Sequence, residues 1–163
     1  MGAACDSEVV ARNLAGLGYP GFSFLRPARQ VNPASVLVAA LSSSDLEVRV
    51  VEALPWLVLK FPQMDWEWLL KEARQREMQN RLGFVVALAR RLAARRQAEC
   101  ADTQRLAEVE AMLDRGRLVR EDTLCQQSLS EAERCWLREM RPPEARHWNL
   151  LTDLTAEGLP YAV

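Results

Sequence analysis

Few side chains in this chain are equipped for catalysis. His147 is the only histidine among 163 residues, so no site built on several imidazoles is possible. It stands in Arg146-His147-Trp148, beyond Pro142-Pro143, with no nucleophile beside it in sequence. A Ser–His or Cys–His pair assembled from distant residues is the one enzymatic arrangement left open, and a packed or surface histidine is the alternative. The cysteines Cys5, Cys100, Cys125 and Cys135 include no CxxC pair, so neither a zinc ribbon nor a thioredoxin-type redox site is spelled out. Cys135, beside Trp136 in a helical pattern, reads as a small core hydrophobe. GxGxxG, P-loop and HExxH patterns are absent. Acids that neighbour each other in sequence, Asp65 with Glu67, Glu108 with Glu110, and Glu121 with Asp122, do not share a helix face. No catalytic residue, cofactor or metal ligand is expected.

Arginine and the aromatic residues offer recognition instead. Between Arg81 and Arg120 there are nine arginines against five acids. Arg91 and Arg95 lie one helical turn apart, and arginine is used in preference to lysine. Guanidinium groups bind phosphate or carboxylate through two parallel hydrogen bonds. This run is either a docking face for nucleic acid or an acidic protein, or a solvated face neutralised by Glu99, Asp102 and Glu108. Of the five tryptophans, Trp56, Trp66 and Trp136 fit inward positions, whereas Trp68 and Trp148 are open to contact with a partner. Tryptophan and arginine are the residues that most often anchor interfaces. Phe22 and Phe24 fall with Tyr19 and Leu25 in a stretch broken by Gly16, Gly18, Pro20, Gly21 and Pro27. That stretch either packs back on the helices or docks on a partner. The candidate partner-binding residues are therefore Phe22, Phe24, Trp68, Arg91, Arg95, Arg146 and Trp148.

Composition sets the frame. A net charge of −1 and a pI of about 5.9 argue against a protein that coats nucleic acid. A hydrophobic content of 49% is too high for a disordered chain. No apolar run approaches the ~18 residues of a membrane span. The stretch Met1 to Val10 carries acids where an export signal would have a basic start and an apolar run, so a cytoplasmic location with reduced thiols is expected.

The elements that would position these side chains read as helices. Residues 1–32 form an irregular segment with one short helix over Asp6 to Leu17. Residues 33–141 read as a helical bundle, and 142–163 as a tail that closes the bundle or wraps a partner. Asn32-Pro33 is an N-cap followed by proline at the first helical position. Ser44 with Glu47 and Ser130 with Glu133 have capping-box spacing. Asp65 caps a further helix, and Pro55 marks a kink or a restart. Leu82, Val85, Val86, Ala89 and Ala93 form one stripe, with Phe84 and Leu88 nearly opposite. That helix is expected to be central, its first half surrounded and its second half emerging into water. Glu99 to Arg120 reads as another helix, in which Leu106, Val109 and Leu113 make the narrow seam of an antiparallel partner. In the helix opened by Ser130, Ala132, Cys135, Trp136 and Met140 are expected inward. The fold class is all-α: one domain of five to seven helices, with αα-hairpins. The stretch Asp45 to Leu54 is similar to the opening of a HEAT-repeat helix, without a second copy.

Several phrases resemble a known group. They are Asn32-Pro33…Val36-Leu37…Ala39-Ala40-Leu41, the run from Arg49 through Pro55-Trp56-Leu57, Asp65-Trp66-Glu67-Trp68-Leu69, and the run Gln79 to Val85. They are similar to small bacterial proteins on the antitoxin side of toxin–antitoxin loci, in particular AbiE-like pairs whose toxin is a nucleotidyltransferase. The similarity continues through Glu121 to Cys125 and Pro143…His147 to Asp153, and so covers most of the chain. The resemblance implies a non-enzymatic protein that neutralises a cytosolic toxin by direct contact. Many such antitoxins carry a winged or helix-turn-helix DNA-binding domain, and none can be placed here. No functional residue carries over from the group. A DNA-binding regulator using the arginine-rich helix is the alternative, and an enzyme with an assembled cysteine or histidine site is the second.

Overall fold

The computed structural model of the protein describes residues 3–29, 31–96 and 101–161. Among them run helices α1 (Ala3–Gly16), α2 (Pro33–Ser42), α3 (Val48–Glu52), α4 (Leu54–Lys60), α5 (Trp66–Gln75), α6 (Gln79–Arg95), α7 (Ala101–Arg115), α8 (Glu131–Met140) and α9 (Pro143–His147). Two short strands, β1 (Asp122–Thr123) and β2 (Leu150–Leu151), pair in parallel, with Asp122 opposite Leu150 and Thr123 opposite Leu151. The protein is an all-α bundle, as expected. Helices α3 and α4 meet at Ala53, the restart that Pro55 imposes as a first-turn proline. Helix α9 and the short strand pair are the elements that the sequence pattern did not announce.

Local chemistry sets three of the helix starts. Asn32 Oδ1 accepts from the Ala34 N–H at 2.9 Å, and Asp65 Oδ1 from the Trp68 N–H at 3.0 Å. Ser130 and Glu133 close a complete capping box. The box expected at Ser44 does not form. Glu47 itself is the N-cap of α3, and its N–H donates to Ser7 Oγ on α1 at 2.9 Å. Asp45 is drawn away to bridge Gln126 and to accept from Ser128. A tertiary contact thus takes the place of the local motif.

Helix α6 is the centre of the bundle. Residues from Leu82 to Ala89 are buried without a break, while Arg91, Ala94 and Arg95 reach solvent. A helix apolar all round must be covered all round. Here α4, α5, α7, α9 and the 3₁₀ turn Ala156–Gly158 provide that cover. Helix α7 lies antiparallel to α6 and packs through Leu106, Val109 and Leu113, all at most 2% exposed. Antiparallel order follows from the pairing of Arg90 with Glu110 near one end and of Asn80 with Leu118 at the other. The expected continuation to Arg120 ends instead at Arg115, and the expected start at Glu99 lies outside the described residues.

The two terminal segments belong to the same core. Val10, Leu14, Tyr19 and Phe22 from the first, and Trp148, Leu150 and Ala156 from the last, join the cluster around α6. Tyr19 meets Phe22, Trp56 and Tyr161 edge to face at centroid distances of 5.2–5.3 Å. The HEAT-like stretch packs through α3 on α1 and α4.

Gly83 lets Trp148 approach α6. A Cβ at that position would lie 2.3 Å from Trp148 Cη2, and the indole, only 1% exposed, has nowhere to swing. In an open helix, glycine to alanine gains up to about 1 kcal/mol. Here the sign reverses: Gly83→Ala should cost about 1–3 kcal/mol through overpacking. Urea unfolding followed by circular dichroism measures it, and a neutral or stabilised variant would refute the contact.

Candidate functional site

The residues singled out for partner contact separate into two groups. Phe22 and Trp148 are buried, at 3% and 1% exposure, so neither is the surface anchor expected of it. Gly18, at φ +98, turns the chain into the 3₁₀ turn Pro20–Phe22, which folds the Phe22 ring onto Tyr19. Trp148 is carried under α6 by α9. Trp68 is half-buried against the core. Phe24 is exposed at 69%, with its edge toward Phe22. Arg91, Arg95 and Arg146 are exposed. Of the seven, Arg91 and Trp148 line one concavity beside α9, where Arg91 Nη1 bonds Glu144 Oε1 at 2.8 Å, and Arg146, on the same short helix, lines another.

Arginine lines three concavities. The first, about 520 Å³, contains Arg76, Arg81 and Arg120 together with Glu77, Glu121 and Asp122. Arg81 is structural. Its Nε and Nη2 grip the Asp122 carboxylate at 2.8 and 3.1 Å, and Nη1 donates to the carbonyls of Leu41 and Ser43 at 2.7 and 3.2 Å. One guanidinium thereby ties α2 and the following loop to β1. Burial alone would raise the Asp122 carboxyl, but the Arg81 hydrogen bonds and charge outweigh it and hold it below the usual carboxylate range. Cys125, nearby at φ +56, has its thiol pushed up to about 11 by burial and donates to the Ala40 carbonyl at 3.3 Å. A thiol in that state is no nucleophile at neutral pH.

The second concavity, about 400 Å³, lies between α6, α7 and α9. Arg90 pairs with Glu110 and Arg91 with Glu144, so its charges also match one for one. The third, about 470 Å³, is lined by Arg117, Arg141, Pro143, Arg146, His147 and Asn149, with no carboxylate among them. His147 Nε2 lies 2.6 Å from Asp114 Oδ1. That resembles the orienting half of a hydrolytic triad. The ring's other close neighbours are the Arg117 guanidinium and the Trp148 edge, neither of them a nucleophile. Among the described residues, no three His, Cys, Asp or Glu side chains are grouped to hold a metal ion.

Helix α8 departs furthest from expectation. Trp136 and Met140 are 55% and 60% exposed, and Ala132 and Cys135 also face solvent. Only Leu137 of this helix is buried. The cause is attachment: α8 rests chiefly on β2, and Arg138 is held outward by Glu121 at 3.0 Å. Ala132, Trp136 and Met140 recur every fourth residue, a single row that Leu137 adjoins. A row that narrow can sit beside a contact without being inside it, and this is the signal that could have flagged Trp136 and Met140 as surface residues.

No family model, curated protein or solved structure matches the chain. The likeness to antitoxins therefore rests on the quoted sequence phrases alone. No helix among the described residues is long and apolar enough to cross a membrane.

Two predictions follow from these environments. Iodoacetamide should alkylate exposed Cys135 in the native protein and spare Cys125 until denaturant is added, as peptide mass spectrometry will show. Because the folded Asp122 carboxyl is depressed, its contribution to stability is complete above the ordinary aspartate range, about 3.9, and is lost as pH falls through the depressed folded value. Asp122→Asn should lower stability at neutral pH and flatten the acid limb of a pH–stability curve. An unchanged acid limb would show that the pair is not the titrating element.

Proposed function

We propose that this chain is a non-enzymatic helical binding protein that works by direct contact with a protein partner, and that α8 is its docking element. The observation carrying this reading is the pair Trp136 and Met140, one turn apart and more than half exposed, on a helix held to the body by Leu137. Large apolar side chains facing solvent are costly to leave uncovered, and tryptophan is the residue most enriched at interface hot spots. Charged Glu133, Arg138 and Glu139 around the row provide the polar rim of an ordinary protein interface. In line with the sequence resemblance, the partner is a cytosolic toxin, of the nucleotidyltransferase kind, whose active face the helix covers.

The arginine-rich helix is a weaker basis for function. Arg81, Arg90 and Arg91 are each paired with a carboxylate, which leaves little cationic charge on α6 to neutralise phosphates along a nucleic acid.

Co-expression with the product of the adjacent gene tests the proposal. The two should copurify, and the chain should restore growth when that product is toxic. A Trp136→Glu, Met140→Glu double variant should fold normally and weaken binding by about 30-fold or more, the loss of at least one hot spot. Full binding by the double variant would refute α8 as the docking element. A wild-type chain indifferent to its neighbour, with no rescue of growth, would refute the antitoxin reading.

A further inference from the structure

The arginine pockets differ in one respect that bears on ligands. In the Arg81 cleft three guanidiniums face three carboxylates, and in the groove between α6 and α9 two face two. The pocket beside α9 has Arg117, Arg141, Arg146 and His147 in its wall and no carboxylate. Asp114, outside that wall, takes part of the charge by accepting from His147 and Arg117. Arg146 has no ion-pair partner among the described residues, and Arg141 makes one long bond, Nη1 to the Leu150 carbonyl at 3.3 Å. Arg141 Nε is enclosed and has no acceptor. Like charges gathered in one hollow repel each other, and an enclosed donor without an acceptor is unfavourable. An oxyanion placed among the cations relieves the repulsion.

We propose that this pocket binds the phosphoryl group of a small soluble ligand. Guanidinium forks match the spacing of phosphate oxygens, and several forks converging from different segments favour a multiply charged, tetrahedral anion over a single carboxylate. Arg117 follows α7, Arg141 caps α8, and Arg146 lies on α9, so the three approach from different directions. Pro143 is the one apolar side chain in the wall. Recognition in this pocket therefore rests on the charge of the phosphoryl group.

Isothermal titration calorimetry of the full chain with inorganic phosphate and with pyrophosphate, in buffer free of other oxyanions, tests the proposal. Saturable binding of one equivalent is expected, stronger for pyrophosphate. Arg146→Gln should weaken it about tenfold, and Arg117→Gln with Arg146→Gln should abolish it. Arg95→Gln, outside the pocket, should leave it unchanged, and thermal melts should show all variants folded. Trp136→Glu should also bind phosphate normally, which separates this site from the α8 proposal. Absence of saturable binding, equal loss in Arg95→Gln, or equal displacement by chloride would overturn it. So would duplex DNA that binds through Arg146 without competition from phosphate, because the site would then serve a polymer.

Discussion

An α-helix with no polar face has to be enclosed, and the enclosure of α6 organises this protein. From Leu82 to Ala89 every side of the helix is covered, and the cover comes from α4, α5, α7, α9 and the turn after β2. Polar groups on or beside this helix then have to be satisfied by whatever encloses it. Asn80, 2% exposed, does so with a side-chain amide that mimics a strand partner: it donates to the Leu118 carbonyl at 2.9 Å and accepts from the Leu118 N–H at 2.8 Å. Arg81 does so through Asp122 and two carbonyls of the α2 end. The loop before β1 is thus fixed by two neighbouring residues of α6. With Asn149, whose side chain also donates to the Leu118 carbonyl, they set the register of the small parallel pair.

The candidate sites lie around this enclosed helix, not inside it. Arg81, Asp122 and Cys125, ionisable groups wholly or partly buried, serve attachment: each is bonded to backbone or to its counter-charge. The surfaces proposed for recognition lie at the periphery, where α8 is seated through Leu137 and where α9 and the end of α7 bring cations together. The rigid centre explains why peripheral residues hold their geometry at all. Arg146 and His147 are fixed because Trp148, next in sequence, is locked against Gly83.

Sequence periodicity read the centre well because burial on all sides leaves an unambiguous record. The Leu82, Val85, Val86, Ala89 row with Phe84 and Leu88 opposite can only belong to a surrounded helix, and Leu106, Val109 and Leu113 mark its antiparallel neighbour. Caps made of a side chain and a nearby N–H, at Asn32, Asp65 and Ser130, were legible for the same reason: both partners lie within three residues. Ser44 failed because Ser7 and Ser128, distant in sequence, compete for the neighbouring groups. The candidate sites were less legible. Trp136 and Trp148 exchange their expected places because an aromatic residue in a helical row records that something touches it, not whether that contact is internal. Gly83 was the informative residue for Trp148, since it marks where α6 is thin enough to admit a ring. Pocket charge was legible only in part: a run of nine arginines says nothing about which of them meet carboxylates.

Enclosure by a late segment also bears on how the chain is made. Synthesis is vectorial, so α6 emerges from the ribosome well before Trp148 and β2 exist. Until they arrive, the Gly83 side of the helix is a bare hydrophobic notch, and Asp122 has no strand beside it. The native arrangement is thus completed only after translation has passed α9, and until then the notch on α6 is exposed apolar surface.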